Sequence, residues 1–117
     1  MSKDNQFQKE QILKGIITLL IMRFLVDKPM YGYSLQLAIS EKIGRDMPQG
    51  TIYVLLKSLE KRGLIELCET QVERDRKLYS ITQEGRKFLL NHETPLLIAS
   101  GLMGELIEFI QTMRNQE

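Results

Sequence analysis

The 117 residues predict a mainly α-helical domain carrying one small β-hairpin and ending in a long apolar helix. Three observations support this. Apolar residues recur at three- and four-residue spacing in successive segments before Gly63. The period then switches to that of extended chain on either side of a charged loop, and a last apolar stripe, Leu96 to Met113, has no further chain to pack against it. The length suits a single core, since a domain generally uses roughly 100 residues or more. With 43% hydrophobic and 26% charged residues, 8 Gly and 3 Pro, disordered and collagen-like classes are excluded.

From Gln8 to Val26 the positions Ile12, Ile16, Leu19, Leu20 and Phe24 mark one helical face, and Leu13, Ile17, Ile21 and Leu25 mark a second beside it. An arc this wide exceeds what one small core uses, so part of it, with Ile17 and Ile21, is expected to meet another subunit. Asp27-Lys28-Pro29 ends the helix, because a residue before proline is biased out of the helical region. A second helix is expected from Tyr31 or Ser34 to Lys42, with Leu35, Ala38 and Ile39 inward, Ser34 or Gly32 as cap and Gly44 closing it. After a non-helical entry, Met47-Pro48-Gln49-Gly50-Thr51, a third helix runs from about Thr51 to Arg62 with Ile52, Leu55, Leu56 and Leu59 buried and Gly63 as a left-handed stop.

Leu64 to Thr70 and Lys77 to Thr82 are strands joined by a charged loop, Gln71 to Arg76. Thr82 then caps a helix that tolerates Gly85 in its first turn and reaches at least Leu90. Pro95 implies a kink or break near His92 to Thr94; the alternatives are a fresh helix capped by Thr94 and a continuous kinked one. Beyond it Leu96, Ala99, Leu102, Met103, Leu106, Phe109, Ile110 and Met113 form a stripe expected to pair with a second copy of the chain.

Three helices and a hairpin, with a helix-turn-helix in the second and third positions, is the element order of a winged helix. Residues 1–90 are expected to form that unit and 91–117 a dimerisation helix continuous with it. Net charge is only +1, yet its distribution is uneven. Met1 to Leu90 holds 15 basic against 11 acidic residues, and Asn91 to Glu117 one against four, so any polyanion-binding surface lies before residue 91.

On the third helix Tyr53, Lys57 and Lys61 recur every four residues away from the buried stripe, a face free to enter a major groove. Gln49, Gly50 and Thr51 would approach the bases first, and glutamine can read adenine bidentately. Lys57, Lys61 and the Tyr53 hydroxyl suit phosphates, which position the helix without reading sequence. Arg74, Arg76 and Lys77 at the hairpin could reach a minor groove or its backbone. Taken singly, lysines four apart and a charged loop are ordinary solvated surface; their placement on one helix-turn-helix with a hairpin makes double-stranded DNA the expected partner.

The segments Tyr31-Gly32-Tyr33-Ser34-Leu35; Gly50-Thr51-Ile52-Tyr53 with Leu55, Leu56, Leu59 and Glu60; Gly63-Leu64-Ile65; Arg76-Lys77-Leu78-Tyr79-Ser80-Ile81-Thr82; and Glu84-Gly85-Arg86 together resemble the PadR family of transcriptional regulators, over roughly residues 12–90. The resemblance implies a winged helix with a C-terminal dimerisation helix, and repression by operator binding that a small molecule relieves. It assigns Tyr33, Gly50, Thr51, Tyr53 and Lys57 to the DNA face and Arg74, Arg76 and Lys77 to the wing. The short C-terminal region resembles the small subgroup, with one dimerisation helix. Some drug-sensing members of that subgroup hold planar ligands between tryptophans at the dimer interface, an arrangement not open to this chain, which has no Trp. Phe7, Phe24, Phe88, Phe109 and the six Met could line a pocket for an apolar effector, although core and dimer packing accounts for them more simply.

The remaining chemistry is sparse. Cys68 alone can make neither an internal disulfide nor a thiolate cluster, and suits a reducing cytoplasm. His92, the single histidine, is expected as an exposed residue at a helix end. No nucleophile has a base at recognisable spacing and no phosphate-cradling glycine loop occurs, so neither an enzyme nor a cofactor is expected. The run Ile16 to Val26, broken by Arg23, is shorter than the roughly 18 to 20 residues of a bilayer span. The polar start, Met1 to Lys14, carries no secretion pattern, which leaves a cytoplasmic protein without a membrane partner as the expectation. A winged helix that binds protein without touching DNA is the alternative, favoured by Glu60, Glu66, Glu69, Glu73 and Asp75 near the cationic face.

Overall fold

The computed structural model describes residues 2–71 and 76–117, with side chains from residue 12 onward except at positions 49 and 69–71. The elements run α1 (Ser2–Asp27), β1 (Met30–Tyr31), α2 (Gly32–Ile43), α3 (Gln49–Lys61), β2 (Ile65–Gln71), β3 (Arg76–Ile81), α4 (Gln83–Leu90) and α5 (Glu93–Gln116). This is the expected winged-helix order, with one strand more than the sequence predicts. Met30 and Tyr31 pair antiparallel with Tyr79 and Leu78, making a three-stranded sheet of order β1-β3-β2. A strand of two residues is too short to leave an alternation pattern, so only pairing partners far along the chain define it.

The core forms where the inward stripes of the first three helices meet the sheet. Ile17, Ile21, Met22 and Leu25 of α1 pack with Leu35 and Ile39, with Ile52, Leu55, Leu56 and Leu59, and with Leu64, Ile65 and Tyr79. Each aliphatic side chain so buried contributes about 1.5–3 kcal/mol. Ile17 and Ile21, expected at a subunit interface, are 1% and 0% exposed within this chain and have no surface left for a partner. The first helix does carry a surplus apolar face, but it is the other one: Ile12 and Ile16 are exposed.

The turn between α2 and α3 is held by polar contacts. Gly44 closes α2 as expected, and does so in the left-handed region at φ 84°. The Met47 amide donates to Ser40 Oγ at 3.1 Å and Gln36 Nε2 donates to the Met47 carbonyl at 3.2 Å. Neither Ser34 nor Gly32 caps α2; its N-cap is Tyr31, with no side-chain bond. Gly63, with φ 76°, ends the α3 region and turns the chain into β2.

Thr82 joins α3, the sheet and α4. Its hydroxyl donates to the Gly63 carbonyl at 2.7 Å and accepts from the Gly85 amide at 3.0 Å, while its amide donates to the Leu64 carbonyl. Gly85 is required here, where the sequence suggests only tolerance. A Cβ on it would collide with the Leu64 carbonyl oxygen and lie 2.7 Å from Ile81 Cγ1.

The helical stretch breaks at Asn91–His92, so α5 starts afresh with His92, not Thr94, as its N-cap. Pro95 lies in the first turn of α5, where its missing N–H removes no helical bond. His92 is half-buried, contrary to expectation: its Nδ1 lies 2.7 Å from the Phe88 carbonyl and its ring 4.4 Å from that of Phe88.

None of the residues of α5 is buried. The described chain measures 57 × 32 × 22 Å with a radius of gyration of 16.6 Å, against about 13 Å for a compact domain of this length. By length and composition the stretch Gln83–Gln116, unlike the shorter run Ile16 to Val26, is apolar enough to cross a membrane.

Candidate nucleic-acid interface

Amphipathicity decides which side of α3 faces outward. Burial of Ile52, Leu55, Leu56 and Leu59 fixes one face. At 100° per residue, the line opposite runs through Gly50, Val54, Lys57 and Lys61. All four are exposed, and Thr51 is half-buried at the edge of the stripe. Among the described residues the ion pairs are Arg23–Asp27 and Lys87–Glu84, and Lys57, Lys61 and Lys77 have no ion-pair partner among them. An unpaired ammonium on a flexible stem is suited to a phosphate oxygen.

Tyr53 flanks this line, 38% exposed. Its ring lies against the start of α2, where a Cβ on Gly32 would come within 3.0 Å of Cε1. Gly32 therefore holds Tyr53 by leaving it room. One residue earlier, the Tyr31 ring lies under the Arg76 guanidinium at 5.3 Å. The β1–α2 junction thus receives α3 on Gly32 and the base of the wing on Tyr31, which brings Tyr53 and Arg76 to adjacent residues. Tyr33, on α2, is 55% exposed.

Of the predicted DNA contacts, Tyr33, Gly50, Tyr53, Lys57, Lys61, Arg76 and Lys77 are exposed on the helix-turn-helix and wing, and Thr51 is half-buried. Arg74 lies outside the described residues, as does the Gln49 side chain. Sequence reasoning overlooked Val54, which its stripe of lysines and tyrosine stepped past. The signal was available, since Val54 is four residues after Gly50 and three before Lys57.

Behind this face, burial raises the Tyr79 phenol above its ordinary 10.0, helped by the charges of Glu60 and Tyr53. Tyr79 stays neutral at physiological pH and adds no charge to the site. On β2, a register shift between Leu67 and Glu69 marks a bulge, and the Cys68 thiol there donates to Ser80 Oγ at 3.0 Å. A cavity of about 420 Å³ separates α1 from α5, lined by Ile12, Ile16, Leu19, Phe88, Leu96 and Met103 among others. Of the aromatic residues considered for a pocket, Phe88 lines this cavity, Phe24 packs on the core, Phe109 is exposed, and the Phe7 side chain is outside the described residues.

Residues 21–91 match the profile of the transcriptional regulator PadR-like family. Among solved structures, a candidate transcriptional regulator from Thermoplasma acidophilum superposes with a TM-score of 0.76 at 39% identity, over 85% of this chain and 97% of that one. A PadR family transcriptional regulator from Eggerthella lenta gives 0.72 at 26% identity, over 92% and 97%. A PadR-like transcriptional regulator from Bacillus cereus gives 0.69 at 27%, over 83% and 96%.

Proposed function

This chain belongs to the PadR-like family of transcriptional regulators, a DNA-binding family, and from that premise we propose that it acts in the cytoplasm as a homodimeric repressor on a pseudo-palindromic operator. The observation that carries the reading is the outward line of α3, where Gly50, Lys57 and Lys61 are exposed and the lysines have no ion-pair partner among the described residues, beside a wing whose Arg76 is anchored to the same junction as Tyr53. Two such helices, related by a two-fold axis, enter successive major grooves roughly 34 Å apart. Tyr33, Thr51, Tyr53, Lys57 and Lys61 engage one groove and its phosphates, and Arg76 and Lys77 the adjoining backbone. Gln49 and Arg74 belong to the same proposal by position in the sequence. No catalytic role is assigned.

Dimerisation is through α5. Leu96, Ala99, Met103, Leu106, Ile110 and Met113 recur every three or four residues, the seam of a helix pair. Leu102 and Phe109 widen it, and Ile12 and Ile16 of α1 replace Ile17 and Ile21 at its edge. The same pattern argues for a partner helix rather than a membrane. Glu105 and Glu108 fall mid-helix, where hydrocarbon would charge about 2.5 kcal/mol or more for an acidic side chain. An apolar effector in the α1–α5 cavity would relieve repression by binding best to a dimer whose heads are wrongly spaced for DNA.

Titration of duplex binding against salt tests the reading. Lys57→Glu should weaken binding to every duplex by about tenfold or more and flatten the salt dependence by about one unit of slope for each recognition helix. Unchanged slope with unchanged affinity would remove α3 from the interface and favour a protein partner.

A further inference from the structure

We propose that Val54 reads thymine through its 5-methyl group. The inference rests on the DNA-binding reading above and adds a base-specific contact to it. Val54 is 61% exposed, well above Tyr53, and lies near the middle of the outward line of α3 between Gly50 and Lys57. Val54 lies outside the core cluster, and nothing in the packing of the described residues asks for it there. A β-branched residue is a weaker helix former than its alternatives, and its two methyls face water where the rest of the line is glycine and lysine.

Gly50 supplies the second observation. It precedes Val54 by one turn on the same face, and a Cβ there would meet nothing within 4 Å. Its φ is not positive, so neither backbone conformation nor internal packing requires glycine. The missing side chain lowers the helix surface just ahead of Val54 and lets an external groove floor come close. Lys57 and Lys61, one and two turns on, reach phosphates and fix the register of the helix without reading bases. The first side-chain atoms on this line to reach the floor are then the Val54 γ-methyls. Valine has no hydrogen-bonding group, and the major-groove edge offers one apolar feature, the thymine methyl.

The test begins with duplexes enriched from a random pool by the full-length protein. In an enriched duplex each thymine is replaced in turn by deoxyuridine, which keeps all base pairing and removes one methyl. Wild type should lose about fourfold in affinity at one position per half-site, the worth of burying a single methyl. Val54→Thr, which retains a γ-methyl, should keep that loss, and Val54→Ser, which differs from it by that methyl alone, should bind thymine and uracil alike. Thermal melting of both variants checks that the fold is unchanged. A wild-type scan with no sensitive position, or a sensitivity that persists in Val54→Ser, overturns the Val54 contact and leaves the regulator reading intact. A pool that yields no enriched sequence overturns site-specific binding itself, and the Val54 contact with it.

Discussion

Helices α3 and α5 carry the same kind of apolar stripe and meet opposite fates. In α3, Ile52, Leu55, Leu56 and Leu59 are covered by this chain's own α1, α2 and sheet. In α5, Leu102, Leu106, Phe109, Ile110 and Met113 are all more than half exposed. A periodic stripe therefore marks an apolar helix face, and tertiary packing decides whether this chain covers it. The cover of α3 comes from elements on both sides of it in the chain, whereas α5 stands clear of the core that those elements form.

That contrast can be broken at the C-terminal end first. Leu106→Glu would bury two like charges in the proposed seam, and should weaken self-association by two orders of magnitude or more in sedimentation, with operator binding lost alongside. The winged unit should keep its helical circular dichroism. Dimers of undiminished strength would show that α5 is not the seam. Wild-type melting should likewise rise with protein concentration, while the Leu106 variant melts independently of it.

The next largest effect lies inside the winged unit. Gly85→Ala pushes a methyl into the Leu64 carbonyl and Ile81, atoms that cannot yield without moving the sheet from α4. A loss of about 1–3 kcal/mol is expected by chemical denaturation, and a variant as stable as wild type would contradict the close approach. Smallest is an alkaline effect confined to the self-covered core. Because burial raises the Tyr79 pKa above 10.0, the unfolded chain releases this proton first as pH rises. Its contribution is therefore constant below pH 10.0 and declines above it. Tyr79→Phe should remove that part of the decline, which a comparison of the two stability curves between neutral and strongly alkaline pH would measure.

Local sequence made most of the helical framework legible. Gly44 and Gly63 mark true left-handed stops, Thr82 is a true cap, and the stripe of α3 correctly fixes the outward face. What stayed hidden depends on contacts distant in the chain. β1 exists only because Tyr79 and Leu78 pair with it. Gly85 is a glycine because of Leu64, some twenty positions earlier, and the choice between the two apolar faces of α1 is made by α2, α3 and the sheet together. Val54 was overlooked for a different reason. Reading for charge selects residues that hold phosphates, and a base-reading position need carry no charge at all.

The break at Asn91–His92 sets the direction in which α5 leaves the winged unit. With α5 24 residues long, a change of about 10° in the torsions there sweeps its far end through about 6 Å, from 1.5 Å of rise per residue. That is close to two steps along a duplex, so in the proposed dimer two amino acids would act as the protractor that sets how far apart a pair of reading heads can stand.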